Sequence, residues 1–208
     1  MRTLLALLLT LASTTATVAQ TGPAPTVRRA FWAEAGGGSG GVWVGCGNCT
    51  EVLAAFGPNA FVRAGGAFSD RVFWGVEVMG MPESRGGPDP GTTTQPRDST
   101  MHVATLNVAP VVLWYPWRGG IFLKGGVGVA HSKVRMQAPG TTTFVTGRGT
   151  ASSVTLGAGY DVPLLRRVAL TTQFSAHIGA VGDAREGTAT IDDILTSLYS
   201  VSLGLTLR

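Results

Sequence analysis

Four ionisable residues, Glu34, Arg63, Glu77 and Lys124, stand out because each interrupts a stretch that is otherwise almost uncharged. Their neighbours on the same side of the chain are chiefly Gly, Ser and Thr. Two acids and two bases among small side chains suit a narrow interior in which the charges neutralise one another. A desolvated charge needs such a partner, and removing one member of a buried pair costs about 3–5 kcal/mol. These four are therefore expected to form a network of ion pairs that holds the interior shut.

Other residues could support chemistry. Cys46 and Cys49 flank Gly47-Asn48. In an exported chain this spacing favours a small disulfide at a loop tip, and the βαβ context of a redox pair is missing. His102, His131 and His177 each lie near one end of an alternating stretch. Parity turns His177 one way and the other two the opposite way, so no metal site is expected. Ser175 with His177, or His131 with Ser132, supplies two members of a nucleophilic set. Neither pair has a carboxylate in register, so no catalytic residue and no cofactor are assigned.

The elements that must position these residues are strands, because apolar and small polar residues alternate. At the C-terminus, Tyr199, Val201, Leu203, Leu205 and Leu207 oppose Leu198, Ser200, Ser202, Gly204 and Thr206. The same rule holds for Val168–Ile178, Ser153–Tyr160 and Ile121–Val129, and with more noise for Ala104–Val112, Val72–Met79 and Ala60–Phe68. Pro110 is awkward there, since proline removes a ladder donor. An eighth candidate, Phe31 to about Val44, is too glycine-rich to fix its register. The links alternate long and short: Gly45–Pro58, Ser69–Arg71, Pro82–Ser99, Pro116–Gly119, Arg135–Gly149, Asp161–Arg166 and Gly179–Ile194. Four long loops at one end and three tight turns at the other describe an eight-stranded antiparallel up-and-down transmembrane barrel, its turns in the periplasm and its loops outside.

Composition agrees. Charged residues make up 13% of the chain and glycine contributes 30 of 208 positions, against about 25% charged in an ordinary soluble domain. No apolar run after residue 20 is long enough for a spanning helix, which leaves a closed barrel as the way across a bilayer. Phe31, Phe68, Trp74, Trp114, Tyr115, Trp117 and Tyr160 fall near the short turns and are expected to form an interfacial girdle. Trp43 and Phe61 are candidates for the far girdle. Arg28, Arg29, Arg71, Arg118, Arg166, Arg167 and Arg208 gather at the turn end too. The pI near 9.6 is thus read as contact with anionic headgroups, not nucleic acid.

The N-terminus carries an address. Met1-Arg2, the apolar run Leu4–Ala12 and Thr17-Val18-Ala19 have the layout of a secretory signal over 1–19, cleaved between Ala19 and Gln20. A leader over 20–28 then precedes a barrel over 29–208.

From Phe31 to Arg208 the chain resembles the small outer-membrane β-barrel superfamily typified by the transmembrane domain of outer membrane protein A. The resemblance rests on the architecture, on Phe122-Leu123-Lys124-Gly125-Gly126-Val127-Gly128 and on Ser202-Leu203-Gly204-Leu205-Thr206-Leu207. It implies insertion by the barrel assembly machinery, although members usually end in an aromatic residue and this sequence ends Leu207-Arg208. The expected role is anchoring, with the lumen plugged by polar side chains and the loops displayed at the surface of a Gram-negative cell. Expected partners are phospholipid, lipopolysaccharide and an extracellular ligand the sequence does not name. The rival readings are a small-solute channel, a lipid-modifying enzyme and a soluble lipocalin-like binder.

Overall fold

The computed structural model describes residues 31–46, 53–88, 101–137, 144–181, 184–186, 189–191 and 194–208. The signal, the leader and the Ala19–Gln20 cleavage point lie outside the described residues. Seven long strands come first: β1 (Phe31–Cys46), β2 (Leu53–Ala67), β3 (Val72–Pro88), β4 (Met101–Trp114), β5 (Ile121–Gln137), β6 (Phe144–Pro163) and β7 (Val168–Val181). Two short strands, β8 (Ala184–Glu186) and β9 (Ala189–Ile191), pair as a separate ribbon before the last long strand, β10 (Ile194–Leu207).

Each long strand pairs antiparallel with its neighbour along the chain, and β10 closes the barrel on β1 from Ala33↔Leu207 to Cys46↔Ile194. Closure leaves no unpaired sheet edge in the barrel, as a hydrocarbon environment requires. The glycines that hid the register of β1 permit the closing contact. A Cβ at Gly38 would collide with the Val201 carbonyl of β10. Pro110 points outward on β4, where the β4–β5 ladder passes from Val108↔Val129 to Val111↔Gly126 without pairing Ala109 or Pro110. The missing amide is thus accommodated on the β5 side, and Gly120 takes φ +88° to close the turn before β5.

The strands run 14 to 20 residues, whereas about 9–11 suffice to cross a bilayer. This corrects the long-loop boundaries. Much of Gly45–Pro58, Pro82–Ser99 and Arg135–Gly149 is strand that continues the ladder beyond the apolar belt. Past the acyl chains nothing demands an apolar side chain at every second position, so the alternation fades while the backbone pairing persists. Register shifts at Phe56/Ala60 and Met81/Ser84 blur it further. At the opposite end β6 runs through Pro163, shortening the expected Asp161–Arg166 turn.

The two faces are inverted relative to a water-soluble protein. Val127 is 65% and Leu203 55% exposed on the outer wall, whereas Glu77 is 0% and Lys124 4% exposed inside. A belt of exposed Val, Leu and Phe with a charged interior is stable only where the surroundings are apolar.

Candidate functional site: the filled lumen

The inward face of each strand contributes to one continuous column of side chains. At the turn end, Trp32, Phe73, Leu113, Tyr115 and Phe122 form an apolar cluster. Trp32 meets Phe73 edge-on at 6.3 Å, and Tyr115 lies 5.5 Å from both Phe73 and Phe122. Such contacts add roughly 0.5–1.5 kcal/mol beyond burial. Beneath them Asp161 accepts from Tyr115 (2.7 Å) and Thr171 (2.7 Å), and Arg208 pairs with the same carboxylate.

Above the aromatic cluster lie the four charges. Arg63 donates through Nε and Nη2 to Glu34 Oε2, at 2.8 and 2.5 Å, and through Nη1 to Glu77 (3.4 Å) and Gln173 (3.0 Å). Lys124 donates to both oxygens of Glu77, at 2.9 and 2.7 Å, and to Ser175 Oγ at 2.8 Å. The pairing register explains the assembly, because Arg63 sits opposite both Glu34 on β1 and Glu77 on β3. The Arg63 guanidinium also rests against the rings of Trp32, Phe61 and Phe122 at 5.2 to 5.7 Å, which replaces part of its lost hydration.

Further out, Asn107 accepts from Ser153 (2.6 Å) and donates to Thr155 (3.3 Å), with His177 Nδ1 within 3.1 Å of both Asn107 and Thr155. A cavity of about 10 Å³ beside them, lined in part by Thr105 and His177, is of the size that holds one water. Val42, Met79, Met81, Val103 and Leu198 then cap the column with an apolar layer.

The structure brings Glu34, Arg63, Glu77 and Lys124 into one connected set. It does not assemble the considered nucleophilic pairs. Ser175 is held by Lys124 and His177 by Asn107 inside the lumen. His131 faces outward against Thr150, whereas Ser132 faces inward against Thr105. Cys49 and the side chain of Cys46 lie outside the described residues, and the disulfide with them.

Phe31, Phe68, Trp74, Trp114 and Trp117 are exposed near the turn end of the wall, and Tyr160 is half-buried. Two aromatic assignments need correction. Tyr115 is only 3% exposed and points into the lumen, and Phe61 is buried beside Arg63. Each shares strand parity with an inward residue, Leu113 and Arg63 respectively, and parity overrides the mere position near a strand end. Arg208 is the third correction, since it enters the barrel mouth to meet Asp161 and is not free for headgroups. Asp161 was missed because it stands beside a turn, where an acid is ordinarily solvated.

With this geometry fixed, likeness to solved structures is informative. OprG, an outer membrane protein of Pseudomonas aeruginosa, aligns over 87% of this chain and 98% of its own, with TM-score 0.52 and 10% identity. Neisserial surface protein A aligns over 86% and 97%, at 0.50 and 9%. Ail, the attachment invasion locus protein of Yersinia pestis, solved with the heparin analogue sucrose octasulfate, aligns over 85% and 99%, at 0.50 and 12%. The fold is that of the small outer-membrane β-barrels. At such identities the likeness extends to the fold and no further. No protein-family model matches the sequence, and no curated protein matches it either.

Proposed function

We propose that this outer-membrane barrel is a closed anchor that displays the loops at its far end to the cell exterior, and is not a conduit. The observation that carries this reading is the continuity of the lumen column from Asp161 and Arg208, through the Glu34–Arg63–Glu77–Lys124 network, to the Met79–Met81 layer. Eight strands leave room for side chains and little else, and here the side chains are mutually bonded across the barrel. A catalytic reading finds no support in Ser175 or His177, which are buried where a lipid substrate has no access. Recognition then falls to the loops, since a rigid scaffold with variable connections is the usual arrangement for binding.

Planar-bilayer recordings test the closed state. Purified protein is expected to insert without discrete current steps, and a reproducible single-channel conductance would overturn the anchor reading in favour of a small-solute channel.

A further inference from the structure

The outer wall carries a feature that anchoring alone does not require. Along β5 the outward positions Ile121, Leu123, Val127 and Val129 are apolar and exposed. Beyond them the same face continues with His131, Lys133 and Arg135. Lys133 is paired directly across the ladder with Arg148 of β6, and both Arg135 and Arg148 lie close enough to act on it electrostatically. Like charges directly opposite on one face destabilise a sheet. Among the described side chains the acids are Glu34, Glu77 and Asp161 in the lumen and Asp70 in a turn at the opposite end. None of these four reaches the cluster.

Position narrows the choice of counter-ion. Four residues at about 3.3 Å each and a strand tilt of about 40° place Lys133 roughly 10 Å further along the barrel axis than Val129, and the exposed Leu106 of β4 pairs with His131 between them, so the cluster borders the end of the apolar belt. That is the headgroup level of the outer leaflet. Directly against the cluster, small residues on neighbouring strands leave a groove of about 660 Å³ in the wall, with Ala60, Gly80, Ala104 and Leu106 along it and Lys133 and Arg148 at its edge. Gly80 and Leu106 are cross-strand partners, as are Ala104 and Lys133, so the apolar floor and the cationic rim are rigidly joined.

We propose that Lys133, Arg135 and Arg148 with this groove form a seat for a phosphorylated lipid of the outer leaflet, its phosphate on the three cations and an acyl chain along Gly80 and Ala104. The proposal rests on the outer-membrane reading and adds a lipid-specific site to it. A soluble anion would satisfy the charges but leave the groove unused, whereas an uncharged acyl lipid would do the reverse.

The test uses the intact refolded protein in lipid nanodiscs, with bound lipid counted by native mass spectrometry during titration. The probes are diphosphoryl lipid A, its dephosphorylated form and inorganic phosphate. Diphosphoryl lipid A is expected to bind preferentially, and the Lys133→Gln/Arg135→Gln/Arg148→Gln variant to bind it about 10- to 100-fold more weakly. Gly80→Phe, which fills the groove and leaves every charge in place, is expected to weaken binding of the same lipid. Heat-modifiable gel migration checks that each variant is folded; should the triple variant fail, Lys133→Gln and Arg148→Gln singly are expected to show a several-fold loss. Unchanged affinity in the charge variants, or equal binding of the dephosphorylated lipid, overturns the seat. Comparable binding of inorganic phosphate overturns the lipid assignment, and an unaffected Gly80→Phe overturns the groove. A barrel that inserts, stays closed and shows no such preference refutes the seat and leaves the anchor reading standing.

Discussion

Arg63 places two of its guanidinium nitrogens, Nε and Nη2, on the single oxygen Oε2 of Glu34 and turns the third toward Glu77 and Gln173. One side chain thereby joins strands β1, β2, β3 and β7 across the lumen. The barrel wall is held by its ladders, but the spacing across the interior is held by this arginine.

Arg63→Ala should therefore lower unfolding stability by about 3–5 kcal/mol, because the Glu34 carboxyl is left buried without its cation. Arg63→Met combined with Glu34→Gln should recover most of that loss, since Glu77 keeps Lys124. Urea titration of the vesicle-inserted protein, followed by gel mobility, measures both. A single variant as stable as the parent would show that the network is incidental.

The latch at the turn end predicts an unequal pair of effects. Asp161→Ala strips the acceptor from Tyr115, Thr171 and Arg208 together and should cost about 3 kcal/mol. Arg208→Ala removes one partner from a carboxylate that keeps two others, and should cost about 1–2 kcal/mol. The temperature at which the compact gel band is lost reports the order, and the reverse order contradicts the geometry.

Val127→Arg places a cation in the middle of the outer belt, where about 2–4 kcal/mol is expected. Lys133→Ala, near the headgroups, should change stability by less than about 1 kcal/mol. Comparable losses at the two positions would mean that the belt has been placed at the wrong height.

Much of this arrangement was legible in the sequence, and the reasons it failed elsewhere are physical. Alternation is imposed on both faces only inside the bilayer, so Val127 and Lys124 could be assigned to opposite faces from parity alone. Tyr115 and Phe61 are girdle candidates by their place near strand ends, and Trp32 sits in a strand whose glycines hide its register, whereas a lumen must also be filled to close-packed density. Parity already pointed Tyr115 inward with Leu113; its neighbours Trp114 and Trp117 disguised it. Arg148 falls in the segment expected to be loop and Lys133 lies just before it, past the last clear alternation, so only the ladder shows that they face one another. The partnership of Asp161 with Arg208 spans 47 residues, and no local pattern announces it.

The central claim is that the apolar faces touch lipid and the charged faces do not. Fluorescence quenching by brominated acyl chains tests it most directly, using variants that retain a single tryptophan. Trp74 and Trp114, on the wall, should be quenched strongly, and Trp32, enclosed beside Phe73 and Arg63, should be quenched least. Trp32 quenched as strongly as Trp114 would contradict the account.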